Sequence, residues 1–183
     1  MNSDRDTLRR IILERSYREG RFRLTSGKMS NFYIDCKQTT LSAEGAYLCG
    51  KLFWEMIGKI GGISAVGGMT LGADPLVTAV SIVSYLEKAP IPAFIIRKEP
   101  KGHGTGSWIE GKSNISKGAL VALVEDVVTT GGTLVKAIDR TRQEGFEVGA
   151  VLTVVDREEG GAEMLREKGF ELMPIFRRRE LIS

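Results

Sequence analysis

Cysteine and histidine are scarce in this chain, and their scarcity excludes two kinds of site. Among 183 residues there are two cysteines and a single histidine, His103. Cys36 and Cys49 have neither C-x-x-C spacing nor a neighbouring histidine, so the sequence predicts neither a disulfide framework nor a zinc site. A chain without disulfides fits a reducing compartment, and we therefore expect a cytoplasmic protein.

Long apolar runs and an excess of one charge are also missing. No run of about 18 apolar residues occurs, and no apolar stretch follows the first six residues, so we expect neither a membrane-spanning nor an exported protein. The net charge of +3 is too small to indicate nucleic acid or a membrane as partner. At this length one domain buries roughly 70% of its unfolded surface, so we expect residues 1–183 to form a single domain.

The hydrophobic pattern alternates between strand-like and helix-like segments. Apolar runs typical of buried strands occupy residues 63–66, 92–96, 120–124, 148–155 and 170–176, and helical periodicity occupies 4–19, 42–59, 74–86, 134–144 and 162–168. This order predicts an α/β fold with a central parallel sheet flanked by helices, whose strands end at one rim.

Two further segments stand outside this alternation. Residues 22–35 contain two short strand-like pieces around a Ser-Gly-Lys turn, which predicts a small N-terminal hairpin or hood over the sheet, about residues 20–40. The run Arg177-Arg178-Arg179 is predicted to be a solvated tail.

The segment from Leu120 to Thr133 carries the clearest chemical pattern. Glu125 and Asp126 follow a buried strand, and a turn rich in glycine and threonine then leads into a helix. Backbone N–H groups and hydroxyls of such a turn bind phosphate, whereas the two acids suit sugar hydroxyls or a magnesium shell. The pattern indicates a phosphorylated sugar with a diol, although a capped helix preceded by two solvated acids is the simpler alternative.

Three more segments at predicted strand ends carry polar or small residues. Residues 67–73 form a glycine-rich turn, a second possible anion cradle. Residues 97–107 combine alternate glycines with Arg97, Lys98, Lys101 and His103, as in a mobile loop over a polyphosphate, with a solvated loop as the alternative. Arg157 is placed to bind a planar carboxylate with two hydrogen bonds, unless it forms a surface ion pair with Glu158 or Glu159.

These motifs together resemble a known family. The segment E-D-V-V-T-T-G-G-T at 125–133 resembles the motif with which type I phosphoribosyltransferases bind phosphoribosyl diphosphate (PRPP). R-K-E-P-K-G-H-G-T-G at 97–106, D-R-E-E-G-G at 156–161 and F-R-L-T-S-G-K-M-S at 22–30 are similar to segments of the orotate phosphoribosyltransferase family. The resemblance covers nearly the whole chain.

The resemblance implies an activity and a set of site residues. The reaction would convert orotate and PRPP into orotidine 5′-monophosphate and diphosphate in pyrimidine biosynthesis, with Mg²⁺ held mainly through PRPP and no direct protein ligand. Catalysis would depend on Lys101, His103 and Asp126, and orotate would contact Lys28, Thr129 and Arg157. PRPP would contact Arg97, Lys98, Lys101, His103, Glu125, Asp126, Val127, Val128, Thr129, Thr130, Gly131, Gly132 and Thr133.

The resemblance also implies a homodimer with shared active sites, in which the mobile catalytic loop, about residues 98–108, brings Lys98 to the neighbouring chain's site. Two positions depart from the family pattern: Thr25 and Leu71 stand where many members have lysines. Orotate specificity is therefore less firmly implied than PRPP use. A purine phosphoribosyltransferase and a non-enzymatic PRPP-sensing regulator remain as alternatives, although the cations of the loop argue against the regulator.

Overall fold

The computed structural model describes residues 3–23, 29–100 and 107–182. The helices are α1 Asp4–Arg15, α2 Lys37–Thr40, α3 Ala43–Ile60, α4 Asp74–Leu86, α5 Gly132–Gln143, α6 Gly161–Glu167 and α7 Arg178–Leu181. The strands are β1 Tyr17–Arg23, β2 Met29–Ile34, β3 Ala65–Met69, β4 Ala93–Ile96, β5 Ile109–Glu110, β6 Leu120–Val128, β7 Glu147–Asp156 and β8 Leu172–Arg177. No helix in these ranges is long and apolar enough to span a membrane.

The central sheet has the strand order β5-β4-β3-β6-β7-β8. Its strands run parallel except β5, which is antiparallel to β4. The chain order reverses between β3 and β6, and in open α/β sheets ligands bind in the crevice outside the strand ends at such a reversal. The predicted central parallel sheet with flanking helices is confirmed, and β1 and β2 form the separate hood hairpin.

Strand β6 lies at the centre of the sheet and its first half is buried on both faces. Ala122 and Val124 pack in the layer that contains α1, α3 and α4, while Val121 and Leu123 pack in the layer that contains α5 and α6. Helix α3 begins where the sequence predicts, because the Ser42 hydroxyl accepts a hydrogen bond from the Gly45 N–H at 3.2 Å. The core therefore fixes the carboxyl end of β6 at one rim.

Helix α1 is shorter than predicted. The pattern extends it to Glu19, but it ends at Arg15, and residues 17–23 form β1 instead. The Tyr17 ring stacks on Phe32 of β2 at 6.1 Å between centroids, and Tyr17 pairs with Ile34 in the antiparallel ladder. Tertiary pairing thus overrides local helical periodicity.

Two strands are longer than predicted. β3 continues through Gly67 and Gly68, which the sequence assigns to a turn. The two glycines lie so close to Phe94 and Val124 that a side chain would not fit, so glycine is needed here for close packing within the sheet and not for a turn. β6 continues to Val128 because its ladder with β7 persists, with Val127 opposite Val155. Glu125 and Asp126 therefore lie within a paired strand rather than beyond its end.

The predicted solvated arginine tail is confirmed only in part: Arg177 and Arg179 are exposed, but the three arginines lie at the end of β8 and the start of α7 and do not form a free tail. Residues 178–181 form α7, whose Leu181 is fully buried. Arg9 of α1 donates to the carbonyl oxygens of Glu180 and Leu181 at 2.8 and 2.7 Å. Along the outer side of β8, Arg5 donates to the Ile175 carbonyl at 3.1 Å, and the Arg177 N–H donates to the Glu180 carboxylate at 2.7 Å.

Candidate active site

The two acids of β6 have different environments. Glu125 is 6% exposed and its Oε1 accepts a hydrogen bond from the Asp126 N–H at 3.1 Å. Burial, together with the neighbouring Asp126 carboxylate, raises the pKa of Glu125 well above its ordinary value. The Asp126 Oδ1 accepts from the Val127 N–H at 2.8 Å, and its side chain keeps 13% exposure at the crevice. The simpler alternative of two solvated acids is therefore wrong.

Lys37 is a member of this cluster that sequence reasoning missed. Its Nζ lies 2.7 Å from Asp35 Oδ1 and 3.9 Å from Asp126 Oδ2. The hydrogen bond with Asp35 is the main cause that raises the pKa of Lys37. Lys37 opens the short helix α2, which has no sequence signature of its own, so no sequence pattern pointed to it.

The turn after β6 forms a small cradle at the start of α5. A cavity of about 220 Å³ is lined by Glu125, Leu134 and most of the turn between them. Gly131 has φ of 80°, and a side chain there would meet the Gly161 carbonyl oxygen, so only glycine lets the turn approach α6 this closely. α5 begins at Gly132, two residues earlier than predicted, so its first N–H groups, which have no partner within the helix, border the cradle and are available to an anion.

The turn after β3 faces the acids across the crevice. A Cβ atom on Gly72 would lie 2.6 Å from Asp126 Oδ1. Because glycine has no side chain, the turn can approach the Asp126 carboxylate this closely. Leu71 in the same turn is 68% exposed. The turn at residues 70–73 and the acids of β6 therefore form two walls of the crevice between β3 and β6.

Arg97 and Lys98 lie at the end of β4, beside the same turn. A cavity of about 440 Å³ is lined by both residues together with Thr70 and Asp74. The Arg97 guanidinium is paired with Glu110 at 2.9 Å. Lys101, His103, Lys28 and Thr25 lie outside the described residues, so the predictions for them stay predictions.

Arg157 joins the rim to the hood. Its guanidinium is 5% exposed, lies 4.5 Å from the centre of the Phe32 ring and donates to Ser30 Oγ at 3.4 Å. Arg157 forms the ion pair with Glu159 that the sequence analysis gave as an alternative, at 2.8 Å. The guanidinium in this pair is buried, whereas the alternative placed the pair on the surface. The Arg157 N–H donates to the Val128 carbonyl at 2.9 Å, which fixes its distance from the turn at residues 129–133, the phosphate turn predicted from the sequence.

The described residues do not form a cluster of metal-ligating side chains. Within residues 3–23, 29–100 and 107–182, no three His, Cys, Asp or Glu side chains come together as a metal site. Both carboxylates of β6 accept backbone hydrogen bonds, and burial favours the neutral form of Glu125. This donor set suits hydroxyl groups better than a directly bound cation.

The burial of Glu125 has a consequence for stability. Because its pKa is raised in the folded state, its stabilising contribution is present below the unfolded pKa of about 4.3 and is lost as pH rises toward the folded pKa. Glu125→Gln should therefore raise Tm at pH 8 and change it little at pH 4.5. Each kcal/mol regained corresponds to about 2–4 °C in a chain of this size.

Thermal melts of both proteins at the two pH values check this expectation. Glu163→Gln, an exposed acid on α6, serves as the control that should leave the pH dependence unchanged. If Glu125→Gln and the original chain lose stability in parallel between pH 4.5 and 8, Glu125 is not the buried acid that the geometry indicates.

Comparison with known proteins identifies relatives along nearly the whole chain. Residues 50–169 match the family model of the phosphoribosyl transferase domain. A Nostoc protein named orotate phosphoribosyltransferase is 48% identical over 178 residues, covering 95% of this chain and 85% of the relative. A protein of the same name from Aquifex aeolicus is 46% identical over 182 residues, covering 98% of both.

Solved structures give the same match. The orotate phosphoribosyltransferase of Mycobacterium tuberculosis in complex with PRPP is 33% identical, with a TM-score of 0.81 over 99% of this chain and 100% of that one. A phosphoribosyltransferase from Corynebacterium diphtheriae is 34% identical, with a TM-score of 0.84 over all of both chains. An adenine phosphoribosyltransferase from Leishmania tarentolae, at 17% identity and a TM-score of 0.67, shares the fold alone.

Proposed function

The chain belongs to the orotate phosphoribosyltransferases of the type I phosphoribosyltransferase family, and from that premise we propose how its own residues divide the reaction. The enzyme transfers the ribose 5-phosphate of PRPP to orotate, giving orotidine 5′-monophosphate and diphosphate in pyrimidine biosynthesis. One observation supports the division of roles: the phosphate turn, the β6 acids and the buried Arg157 all border one rim of the sheet. The relatives favour this activity over purine transfer and over a non-enzymatic regulator.

PRPP would bind with its 5′-phosphate in the turn at residues 129–133, where α5 begins. The carboxylate of Asp126 then accepts hydrogen bonds from the ribose diol, and the buried carboxyl of Glu125 completes the diol site. Lys37, whose Nζ lies 3.9 Å from Asp126 Oδ2, places a positive charge beside that carboxylate. The protein contributes mainly by orienting the ribose, which removes the entropic part of the barrier.

Orotate would place its carboxylate against Arg157. In the free protein that guanidinium is paired with Glu159, so orotate would displace one carboxylate by another at nearly constant local charge. The cation stays packed on Phe32 during the exchange. Arg157 is therefore pre-organised for a planar carboxylate, a group that purine bases lack.

The leaving diphosphate would be bound by Arg97, Lys98, Lys101 and His103. The family implies a ribose with oxocarbenium character, so neutralising the departing diphosphate lowers the barrier, with each donor contributing on the order of 3 kcal/mol. Mg²⁺ would be held by PRPP oxygens, since the described carboxylates already serve backbone N–H groups and the diol. When bound, the ion neutralises charge on the diphosphate.

A homodimer is supported by exposed apolar side chains in and beside the turn at residues 70–73. Leu41 and Leu71 are 72% and 68% exposed, and together with Ile82 of α4 they border an apolar cavity of about 570 Å³. We propose that a second copy of the chain covers this surface and that each chain contributes its Lys98 to the site of the other. The two buried free cysteines fit the cytoplasmic setting that we propose.

The activity is tested by supplying Mg²⁺ and PRPP with orotate, uracil, hypoxanthine or adenine in turn. We expect diphosphate release with orotate and at most weak release with the other bases. Preferential consumption of hypoxanthine or adenine would overturn the base assignment, whereas no consumption of any base, with PRPP still bound, would favour the regulator.

The role of Asp126 is tested by Asp126→Asn. The replacement is close to isosteric but weakens charge-assisted hydrogen bonds from the diol, so PRPP affinity should fall about tenfold while the fold is retained. Calorimetric titration with PRPP measures this. Asp139→Asn, an exposed acid on α5, is the matched control, and equal PRPP affinity in the folded Asp126→Asn protein would exclude the diol role.

A further inference from the structure

Helix α5 holds the start of the loop that follows β4. Arg140, near the end of α5, donates from Nη1 to the Arg97 carbonyl at 2.6 Å and from Nη2 to the Lys98 carbonyl at 3.1 Å. Its guanidinium also stacks on the Trp108 ring, 4.0 Å from the ring centre. One planar side chain therefore fixes two successive peptide carbonyls where the chain leaves β4 and stacks on a ring where it returns.

The carboxyl end of α5 also binds the segment in which the chain returns toward β5. Glu144 follows Arg140 by one helical turn, and its side chain is 11% exposed. Its Oε1 accepts from the Trp108 N–H at 2.8 Å and from Ser107 Oγ at 3.1 Å, while its Oε2 pairs with Lys112 at 2.7 Å. Burial acts to raise the pKa of Glu144, but the hydrogen bonds from Lys112, Trp108 and Ser107 to its charged form together outweigh burial and lower the pKa.

We propose that Arg140 and Glu144 are positioning residues for diphosphate recognition. Arg140 acts through the carbonyls of Arg97 and Lys98. Glu144 acts through Trp108, whose carbonyl accepts a hydrogen bond from the Arg97 N–H at 2.9 Å. Fixing two successive carbonyls restricts the backbone dihedral angles at these residues, and hence the directions in which their side chains leave the chain. Neither Arg140 nor Glu144 needs to touch substrate. This inference rests on the proposed diphosphate role of Arg97 and Lys98.

The placement of these two residues adds a second consequence. The amino end of α5 forms the 5′-phosphate cradle, while its carboxyl end holds both flanks of the loop. A rigid helix of 12 residues thus connects the site for one end of PRPP with the residues proposed for the other end. The helix sets the distance between the two anion sites within each chain.

Arg140→Met tests the proposal, with Arg142→Met as the matched control. Methionine retains much of the stem but no donors, and Arg142 lies on the same helix with its guanidinium 5.0 Å from the Phe170 ring, away from the loop. We expect Arg140→Met to weaken diphosphate binding and lower kcat about tenfold to a hundredfold, with KM for orotate within about twofold of the original chain. Arg142→Met should leave all three unchanged.

Rescue by conservative variants separates positioning from a merely structural role. Arg140→Lys can reach one carbonyl but lacks the planar fork, so it should recover part of the lost activity. Glu144→Gln keeps an acceptor for the Trp108 N–H and should lose less than Glu144→Ala. Thermal melts identify any variant whose loss reflects unfolding alone.

Two outcomes would overturn the proposal: diphosphate affinity unchanged in folded Arg140→Met, or an equal loss in Arg142→Met. Diphosphate and PRPP binding are measured by calorimetry without any base, so the positioning role is tested separately from base specificity. Failure of the original chain to use orotate would contradict the proposed function and leave the calorimetric comparison of Arg140 and Arg142 valid.

Discussion

Arg157→Ala is expected to weaken orotate binding by roughly 2–4 kcal/mol, about 30-fold to 800-fold, while PRPP affinity changes by less than about twofold. The guanidinium is buried against Phe32 and paired with Glu159, so its removal would leave the carboxylate of orotate without the proposed cation. The phosphate turn and the β6 acids do not depend on it for their hydrogen bonds. Separate calorimetric titrations with orotate and PRPP measure the two affinities.

A neighbouring arginine provides the control for Arg157. Arg179 is exposed and pairs with Glu158 at 3.3 Å, so Arg179→Ala removes the same charge from the same region without touching the proposed carboxylate site. We expect it to leave both affinities unchanged. Equal losses for orotate and PRPP in Arg157→Ala would mean that the guanidinium supports the whole rim and does not select the base.

Mixing Lys98→Ala chains with Asp126→Asn chains should restore activity to about a quarter of the original if each loop serves the neighbouring chain's site. In a mixed dimer, one site then carries both defects and the other carries none. Random reassortment makes half of the dimers mixed, and each of these has one intact site of two. Activity is measured after subunit exchange at a PRPP concentration that limits the Asp126→Asn chain.

Exchange itself is verified with differently tagged chains, so that a negative result is informative. If mixed dimers form and activity stays at the level of the separate variants, Lys98 acts within its own chain and the shared site is excluded. Lys59→Ala chains, altered at an exposed lysine near the end of α3, should show full activity alone and in mixtures.

The sequence predicts most elements of the fold because their periodicity coincides with their burial. The α4 and β4 assignments are nearly the observed ones. The buried residues Leu76, Val77 and Val80 of α4 face one core layer, whereas the apolar side chains of β4 alternate between the two layers, as expected for a strand buried on both faces. The errors arise where long-range contacts decide. Residues 17–19 look helical but pair with β2, and Gly67 and Gly68 look like a turn but lie in β3 because Phe94 and Val124 occupy the space beside them.

The candidate site was predictable where a motif dictates local geometry. The turn at residues 129–133 and Arg157 lie where strand-end patterns place them. The difference between Glu125 and Asp126 was not predictable, because it depends on burial from both sheet faces rather than on the acids themselves. Lys37 and Arg140 were also missed, since each reaches the site region through a tertiary contact that no short motif records.

The two edges of the central sheet also limit how this protein can associate. On one side β5 spans only Ile109–Glu110, and on the other the outward Ile175 carbonyl and Arg177 N–H of β8 are already bonded to Arg5 and Glu180. An added strand from another molecule would find few free partners at either edge, so edge-to-edge aggregation is disfavoured. Disrupting the contacts of Arg5 and Glu180 should therefore promote fibril-like stacking of the folded protein before it alters catalysis.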